Sequence, residues 1–454
     1  MAKKKQIELT IEEKLQNALV PKEEQPYKIP SNWCWLYSNF VVDVRDGTHD
    51  TPKYISEGYP LITSKNLKNN NIDFDKVNYI SKEDYEKINL RSKVDIGDVL
   101  FSMIGTIGNP VLIKGQTNYA IKNVALFKDI NLINMTFFRF YLETKFVIDK
   151  MKKEAKGSTQ KFVSLKYLRN FPICYPSLEE QKRIVNRIES LFAKLDRAKE
   201  LIENTLAQFE QNKMAILHKA FTGELTAKWR KENNIDLSSW QEKTVDELCT
   251  SLKYGTSKKS NPEGSVVVLR MGNLQNGEID WSNLMYTDDK DDIEKYLLKK
   301  GDVLFNRTNS PELVGKTSIY RGEYPAIYAG YLIKLDYGKD IIGEYLNYMM
   351  NSTKAKHYCY TVKTDGVSQS NINAKKIGAF EIPVPTIEEQ QEIVNILDRL
   401  LAKYNKIKNL EQQLEKIELL KKAILAKAFR GELGTNNPDE ESAENLLKEI
   451  LAEK

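Results

Sequence analysis

Clustered metal ligands are what this sequence most lacks. Four cysteines (Cys34, Cys174, Cys249, Cys359) and three histidines (His49, His218, His357) are scattered over 454 residues with no CxxC pair. Zinc sites need ligands at short spacings, so no metal is expected and the thiols read as buried or idle. No stretch approaches the roughly 18 uninterrupted apolar residues of a membrane helix, so no span is expected. The N-terminus, MAKKKQIELTIEEKLQ, is basic, but no apolar signal core follows its lysines, which points to the cytoplasm. Strong charge is missing too. A net +5 permits nucleic acid as a partner without demanding it. With 41% hydrophobic and 29% charged residues the chain has the apolar mass for ordinary cores, and its length leaves room for about three domains.

What the sequence has is repetition. PSLEEQKRIVNRIESLFAKLDRA (Pro176–Ala198) returns as PTIEEQQEIVNILDRLLAKYNKI (Pro385–Ile407), ungapped, 209 residues later. The match extends upstream in order. GSTQ (Gly157–Gln160) pairs with GVSQ (Gly366–Gln369), FPICYP (Phe171–Pro176) with FEIPVP (Phe380–Pro385), and IGDVLFS (Ile96–Ser102) with KGDVLFN (Lys300–Asn306). Asn66-Leu67 and Ile72-Asp73-Phe74 pair with Asn273-Leu274 and Ile279-Asp280-Trp281. Trp33 before DGT (Asp46–Thr48) pairs with Trp240 before YGT (Tyr254–Thr256), and KAFTGEL (Lys219–Leu225) with KAFRGEL (Lys427–Leu433). Offsets drift only between 204 and 209, so two copies of one plan differ by a few loop insertions.

Each copy has two parts. Residues 27–175 and 240–384 mix β-branched runs (VVVLRMGNL, GDVLFN, AIYAGYLIKL) with Gly, Asn and Pro punctuation and a helical segment, FFRFYLETKFVIDKMKKEA. Two mixed α/β domains are expected there. Residues 176–225 and 385–433 read as long helices. Both open on the capping-box pattern S/T-x-x-E, at Ser177–Glu180 and Thr386–Glu389, and both stop at a glycine, Gly223 or Gly431. Ile184, Ile188, Leu191, Leu195 and Ile202 in the first, and Ile396, Leu400, Ile407, Leu414 and Ile417 in the second, step at heptad spacing. Asn212, Lys403 and Lys421 interrupt the seam. Each helix would run about 65 Å, and two such narrow seams predict an antiparallel coiled coil between two α+β globules related by a pseudo-two-fold. Residues 1–26 read as an N-terminal helical segment, 226–239 as a linker, and 434–454 as an acidic helical tail packing near IEEKLQNAL.

Two variable globules alternating with helices that begin P-[ST]-x-E-E-Q-x-x-I-V and end K-A-F-x-G-E-L resemble the specificity subunit of type I restriction–modification systems, over nearly the whole chain. The resemblance implies two target-recognition domains, each reading one half of a split double-stranded DNA sequence. It also implies a helical spacer that docks two modification methyltransferase subunits, with restriction subunits added. S-adenosylmethionine, ATP and magnesium would then belong to those partners, with no cofactor in this chain. A coil of about 65 Å would hold the half-sites within roughly two duplex turns. A coiled-coil adaptor without DNA affinity and a self-contained restriction–modification enzyme are the alternatives. Salt-sensitive duplex binding separates the first, and an activity assay on the isolated chain the second.

Against the enzyme, no Pro-Pro pair exists to form the [ND]PP[YF] segment of an adenine methyltransferase. LVGKTS (Leu313–Ser318) imitates the end of a phosphate-binding loop, but its first glycine would fall at Ser310. Candidate DNA contacts are polar, glycine-adjacent segments at matched places: Lys65 and Asn66 with Arg270 and Asn273; Ser102 and Thr106 with Asn306, Arg307 and Lys316; Ser158, Thr159, Gln160 and Lys161 with Ser368 and Gln369. Arginine suits guanine, amides suit adenine, and hydroxyls and lysine serve phosphates. Methyltransferase docking is expected at the helix starts, Glu179, Glu180 and Gln181 with Glu388, Glu389 and Gln390.

Overall fold

The computed structural model describes residues 10–402 and 408–453. The chain forms two compact units. One is built from residues before Ile202 and from Gln412 onward, the other from Ile202–Glu411. Each unit therefore holds one globule, the start of its own long helix and the end of the other helix.

In the first unit an antiparallel sheet runs in the order Val42–Asp46, Val124–Asp129, Val99–Ser102, Gly108–Leu112. The second unit repeats it as Cys249–Tyr254, Leu332–Tyr337, Val303–Asn306, Thr317–Ile319. The inner strands lack polar alternation because both sheet faces are covered. Val99 and Phe101 enter one core with Phe137 and Phe138, while Leu100 enters another with Ile62 and Leu67. Val303 and Phe305 divide from Leu304 in the same way. A smaller sheet in each globule contains a parallel pair, Leu61↔Ala120 and Val267↔Ala326. A closing ribbon, Cys34–Tyr37 on Pro172–Tyr175 and Gln241–Thr244 on Glu381–Val384, joins the globule's start to its end and delivers the chain to the helix.

Two elements divide where the sequence reads as continuous. The helical segment after Ile133 is two helices, Met135–Glu143 and Lys145–Glu154, because Thr144 leaves the helical backbone and its hydroxyl accepts the Val147 N–H at 3.3 Å. AIYAGYLIKL splits at Gly330 into strands of different sheets, Ala326–Tyr328 and Leu332–Tyr337.

The central helix is one element, Leu178–Phe221, of 44 residues. The distal helix is described as Ile387–Ala402 and Lys408–Ala428. Gly223 (φ 77°) and Gly431 (φ 75°) end them in the left-handed conformation that favours glycine. Within the first unit the helices pair antiparallel. Asp196 meets Lys421 at 2.5 Å and Lys199 meets Glu418 at 3.1 Å, so a step forward in one helix is a step back in the other. Lys421 interrupts the seam because its ammonium both lies 5.2 Å over the Phe192 ring and reaches Asp196.

The seam is narrower in reach than its spacing suggests. Ile184 and Ile188 are fully buried in the globule's core and Ile417 is buried, while Leu191, Leu195, Ile202 and Leu414 are half-buried and Asn212 is exposed. In the first part of the distal helix the buried apolar positions are Ile393, Val394 and Leu397, and the expected Ile396 and Leu400 are half-buried. Those three join the second globule's core, which Leu217 and Ala220 of the central helix also enter. Ile407 and Lys403 lie outside the described residues. The stretch expected as a linker is ordered, with a helix at Ala227–Glu232 and Arg230 buried. The tail helix, Ala443–Glu453, packs on Ile11–Ala18 through Leu15, Ala18, Ala443 and Leu447. Among the described residues no helix is long and apolar enough to cross a membrane.

Candidate nucleic-acid interface

In each globule three polar segments far apart in sequence meet at the end of the same sheet. In the first, the Gly105 N–H donates to the Lys161 carbonyl at 2.8 Å and the Val163 N–H to the Met103 carbonyl at 3.0 Å. Ser102 Oγ donates to the Ser64 carbonyl at 3.3 Å. In the second, Thr308–Asn309 pairs with Ser370–Asn371, which pairs in turn with Thr364–Asp365, and Asn306 Nδ2 donates to the Met271 carbonyl at 3.4 Å. The repeated glycine of DGT and YGT sits beside this place for a steric reason. A Cβ on Gly47 would lie 2.2 Å from the Ile121 oxygen, and one on Gly255 would lie 2.1 Å from the Tyr328 oxygen.

The candidate residues separate into two groups. Lys65, Thr106, Ser158, Thr159, Gln160, Lys161, Ser368 and Gln369 are exposed. Asn66 and Asn273 are buried and occupied internally, identically in both copies. The Asn66 amide oxygen accepts the Thr63 N–H at 3.0 Å, and its nitrogen donates to the Asp73 carbonyl at 3.0 Å. Asn273 repeats this with Arg270 at 2.9 Å and Asp280 at 3.0 Å. These amides hold a hairpin closed and do not face a partner, which explains the repeated Asn-Leu and Ile-Asp spacing. Ser102 and Asn306 are likewise fully buried in the sheet.

Arg270, Arg307 and Lys316 are half-buried. Arg270 donates to the Asn283 carbonyl at 2.8 Å. The Lys316 ammonium meets the Gln275 side-chain oxygen at 2.8 Å, and burial holds its pKa below the ordinary lysine value. The LVGKTS loop does not cradle an anion here, since the Gly315 N–H is spent on the Asn306 carbonyl at 2.8 Å.

Arg307 has neighbours that its local sequence does not announce. Its guanidinium lies 4.8 Å over the Tyr254 ring, and its terminal nitrogens donate to the Gly330 carbonyl at 3.3 Å and to Asn371 Oδ1 at 3.2 Å. The matching place in the first globule holds His49, whose ring nitrogens lie 2.9 Å from Asp46 and 2.9 Å from Asn123. Arg91 also pairs with Asp46 there. The only sequence signal for either cluster is its adjacency to DGT and YGT.

The helix starts prove to be internal. Gln181 is fully buried, accepting the Asn134 N–H at 2.8 Å and donating to the Pro176 carbonyl at 2.9 Å. Gln390 repeats this with the Ile342 N–H at 2.8 Å and the Pro385 carbonyl at 3.0 Å. Ser177 and Thr386 accept the Glu180 and Glu389 N–H groups, which is half of a capping box. The glutamate side chains do not turn back to complete it. Glu180 accepts from Thr435 at 2.7 Å and from Arg183 at 2.9 Å. Glu389 accepts from Thr226 at 2.6 Å, Arg230 at 2.6 Å and Trp240 at 3.0 Å. Each helix start thus grips the chain just past the other helix's K-A-F-x-G-E-L end. Of the six docking candidates only Glu179 and Glu388 remain exposed, because the other four are consumed in these clasps.

Burial raises the thiol pKa values of Cys34, Cys249 and Cys359 to about 12, and that of Cys174 further, so none is a ready nucleophile. Among the described residues no group of three or more His, Cys, Asp or Glu side chains is arranged to hold a metal ion.

Comparison with known proteins agrees with this architecture. The family described as type I restriction modification DNA specificity domain matches residues 47–208 and 238–419, once per copy. The EcoKI specificity subunit of Escherichia coli K12 is 25% identical over 94% of this chain and 96% of its own length. The EcoBI specificity subunit of Escherichia coli is 31% identical over 45% of this chain and 44% of its own. A chain solved in a study of complex assembly and conformational transition of the type I R-M system shares the fold, with a TM-score of 0.66, 20% identity and coverage of 90% of this chain and 100% of that one.

Proposed function

This chain belongs to the type I restriction modification DNA specificity family, and from that premise we propose that each globule reads one half of a split, asymmetric double-stranded DNA site. The observation that carries this is the convergence, in both globules, of the same three loop segments at the same sheet end, with unlike side chains on like backbones. Two readers of one plan but different chemistry call for a site in two unlike halves.

The long helices set the gap between the halves. The central helix supports this reading because it is uninterrupted over 44 residues, about 65 Å. Two modification methyltransferase subunits dock on the chain and restriction subunits join through them. If the helix starts take part in docking, Glu179 and Glu388 are the residues available to do so. The chemistry, with its S-adenosylmethionine, ATP and magnesium, lies in those partners, and this chain contributes address rather than catalysis in the cytoplasm. Exposed Lys65, Lys161 and half-buried Lys316 suit phosphates, while Gln160, Gln369, Arg270 and Arg307 suit base edges.

The test is co-expression with the host's modification subunit, followed by mapping of methylated adenines in cellular DNA. One split motif with two unlike halves is expected. Assembly and methyl-donor binding without any split motif would overturn the reading in favour of an adaptor.

A further inference from the structure

The two globules differ most where their backbones agree best. Met103 and Arg307 occupy the same position: each follows the inner strand, and each carbonyl accepts the equivalent N–H, from Val163 at 3.0 Å and from Ile372 at 2.8 Å. Met103 is 3% exposed and belongs to the core. Arg307 is instead half-buried, its guanidinium lies over the ring of Tyr254, which is 40% exposed, and its backbone N–H donates to the Tyr331 carbonyl at 3.0 Å. Tyr331 has no counterpart in the first copy. Gly330 bonds to Thr256 as Asn123 bonds to Thr48, and the next matched residues are Leu332 and Val124, so Tyr331 is an insertion.

We propose that Arg307, held against Tyr254 and by Asn371, reads a guanine in the half-site taken by the second globule, and that the first globule has no equivalent contact. This rests on the split-site reading above. Stacking on Tyr254 fixes the guanidinium plane, and the bonds to the Gly330 carbonyl and Asn371 Oδ1 fix its rotation. Those two bonds use one N–H on each terminal nitrogen. A second N–H on each remains, and this pair matches the O6 and N7 acceptors that guanine alone presents together in the major groove. Asn371 is braced in turn, its amide donating to Thr308 Oγ1 at 2.8 Å. The Nε of Arg307 is buried without a hydrogen-bond partner. Such a cost is borne where a side chain must hold a set direction, and a surface arginine free to turn to water would avoid it.

At the matched place the first globule presents the His49 imidazole and the Asn123 amide, braced by Asp46. Those side chains are shorter than an arginine and offer no planar fork of donors.

The experiment uses the full chain co-expressed with its methyltransferase partner, comparing wild type with Arg307→Gln, Arg307→Lys and Tyr254→Ala, and mapping methylated adenines genome-wide. For wild type, the half-site assigned to residues 240–384 is expected to contain an invariant guanine. Arg307→Gln should relax that one position by about tenfold or more in methylation preference. The other half should stay intact and so report that the variant folds and assembles. Arg307→Lys should relax it partly, because a point charge cannot fork across two acceptors. An unchanged motif in Arg307→Gln, or equal loosening of both halves, would overturn the proposal. If Arg307→Gln gives no methylation at all, Tyr254→Ala, which removes the ring that holds the guanidinium, decides: relaxation of one half supports the contact and an unaltered motif refutes it. A wild-type complex without a split motif would instead overturn the reading on which the proposal stands.

Discussion

The two clasps that close the helix ends and the two loop clusters at the sheet ends make an instructive pair. At the clasps the sequence repeats almost letter for letter, and the side chains it repeats are buried. At the loop clusters the backbone repeats while key side chains differ, Met103 standing where the other copy has Arg307. Repetition in this chain therefore marks construction, and divergence on a repeated backbone leaves room for the two unlike readers proposed above. The clasps add a refinement, since their glutamates find different partners. Glu389 faces a buried arginine, Arg230, together with Thr226 and Trp240. Glu180 faces Thr435 and a half-exposed arginine, Arg183, which also holds Glu440 at 2.7 Å.

Breaking the clasps should show that difference most strongly. Glu389→Ala leaves the Arg230 charge buried without its partner and should cost about 3–5 kcal/mol. Denaturant unfolding checks it, and a loss no larger than a surface substitution would contradict the burial. Glu180→Ala should cost less, about 1–3 kcal/mol, because Arg183 keeps Glu440 and reaches water. Equal losses at the two sites would show the clasps to be equivalent. The glycines should behave alike instead: Gly47→Ala and Gly255→Ala each force a Cβ against a carbonyl and should cost roughly 1–3 kcal/mol. A tolerated alanine at either position would mean that the backbones do not touch.

The smallest effect concerns Lys316, whose partner in the first copy is the uncharged Asn109. Lys316→Ala should weaken binding to random duplex and lower the salt slope by about one, while Asn109→Ala should leave the slope alone. Because burial depresses the Lys316 pKa, its charge is lost as pH rises before an ordinary lysine would lose its own. Affinity should accordingly begin to fall in that range for wild type and not for the alanine variant.

Much of the architecture was legible because it is written in local terms. The tandem repeat, the 44-residue helix and its glycine stop all follow from spacing and from backbone preference. The burial of Glu180, Gln181, Glu389 and Gln390 was not legible. Their partners lie as far as 255 residues away in sequence for Glu180 and 163 for Glu389, and a repeated polar triplet looks the same whether it faces water or a buried arginine. Asn66 and Asn273 misled for the same reason, since an amide that staples a hairpin and one that reads adenine share a sequence context. The distal seam was misplaced onto Ile396 and Leu400 because periodicity cannot say which neighbour a helix faces. Here the globule's core claims Ile393, Val394 and Leu397. In the loop clusters the sequence held Arg307 in view but not its bracing by Tyr254 and Asn371, which come from strands 53 and 64 residues distant.

The most direct measurement exchanges residues 240–384 for the matching globule of another specificity subunit, leaves both long helices intact, and maps methylated adenines in cells carrying the same methyltransferase. The account predicts a new sequence in one half of the motif, with the other half and the spacing between them unchanged. A motif altered in both halves, or in neither, would contradict it.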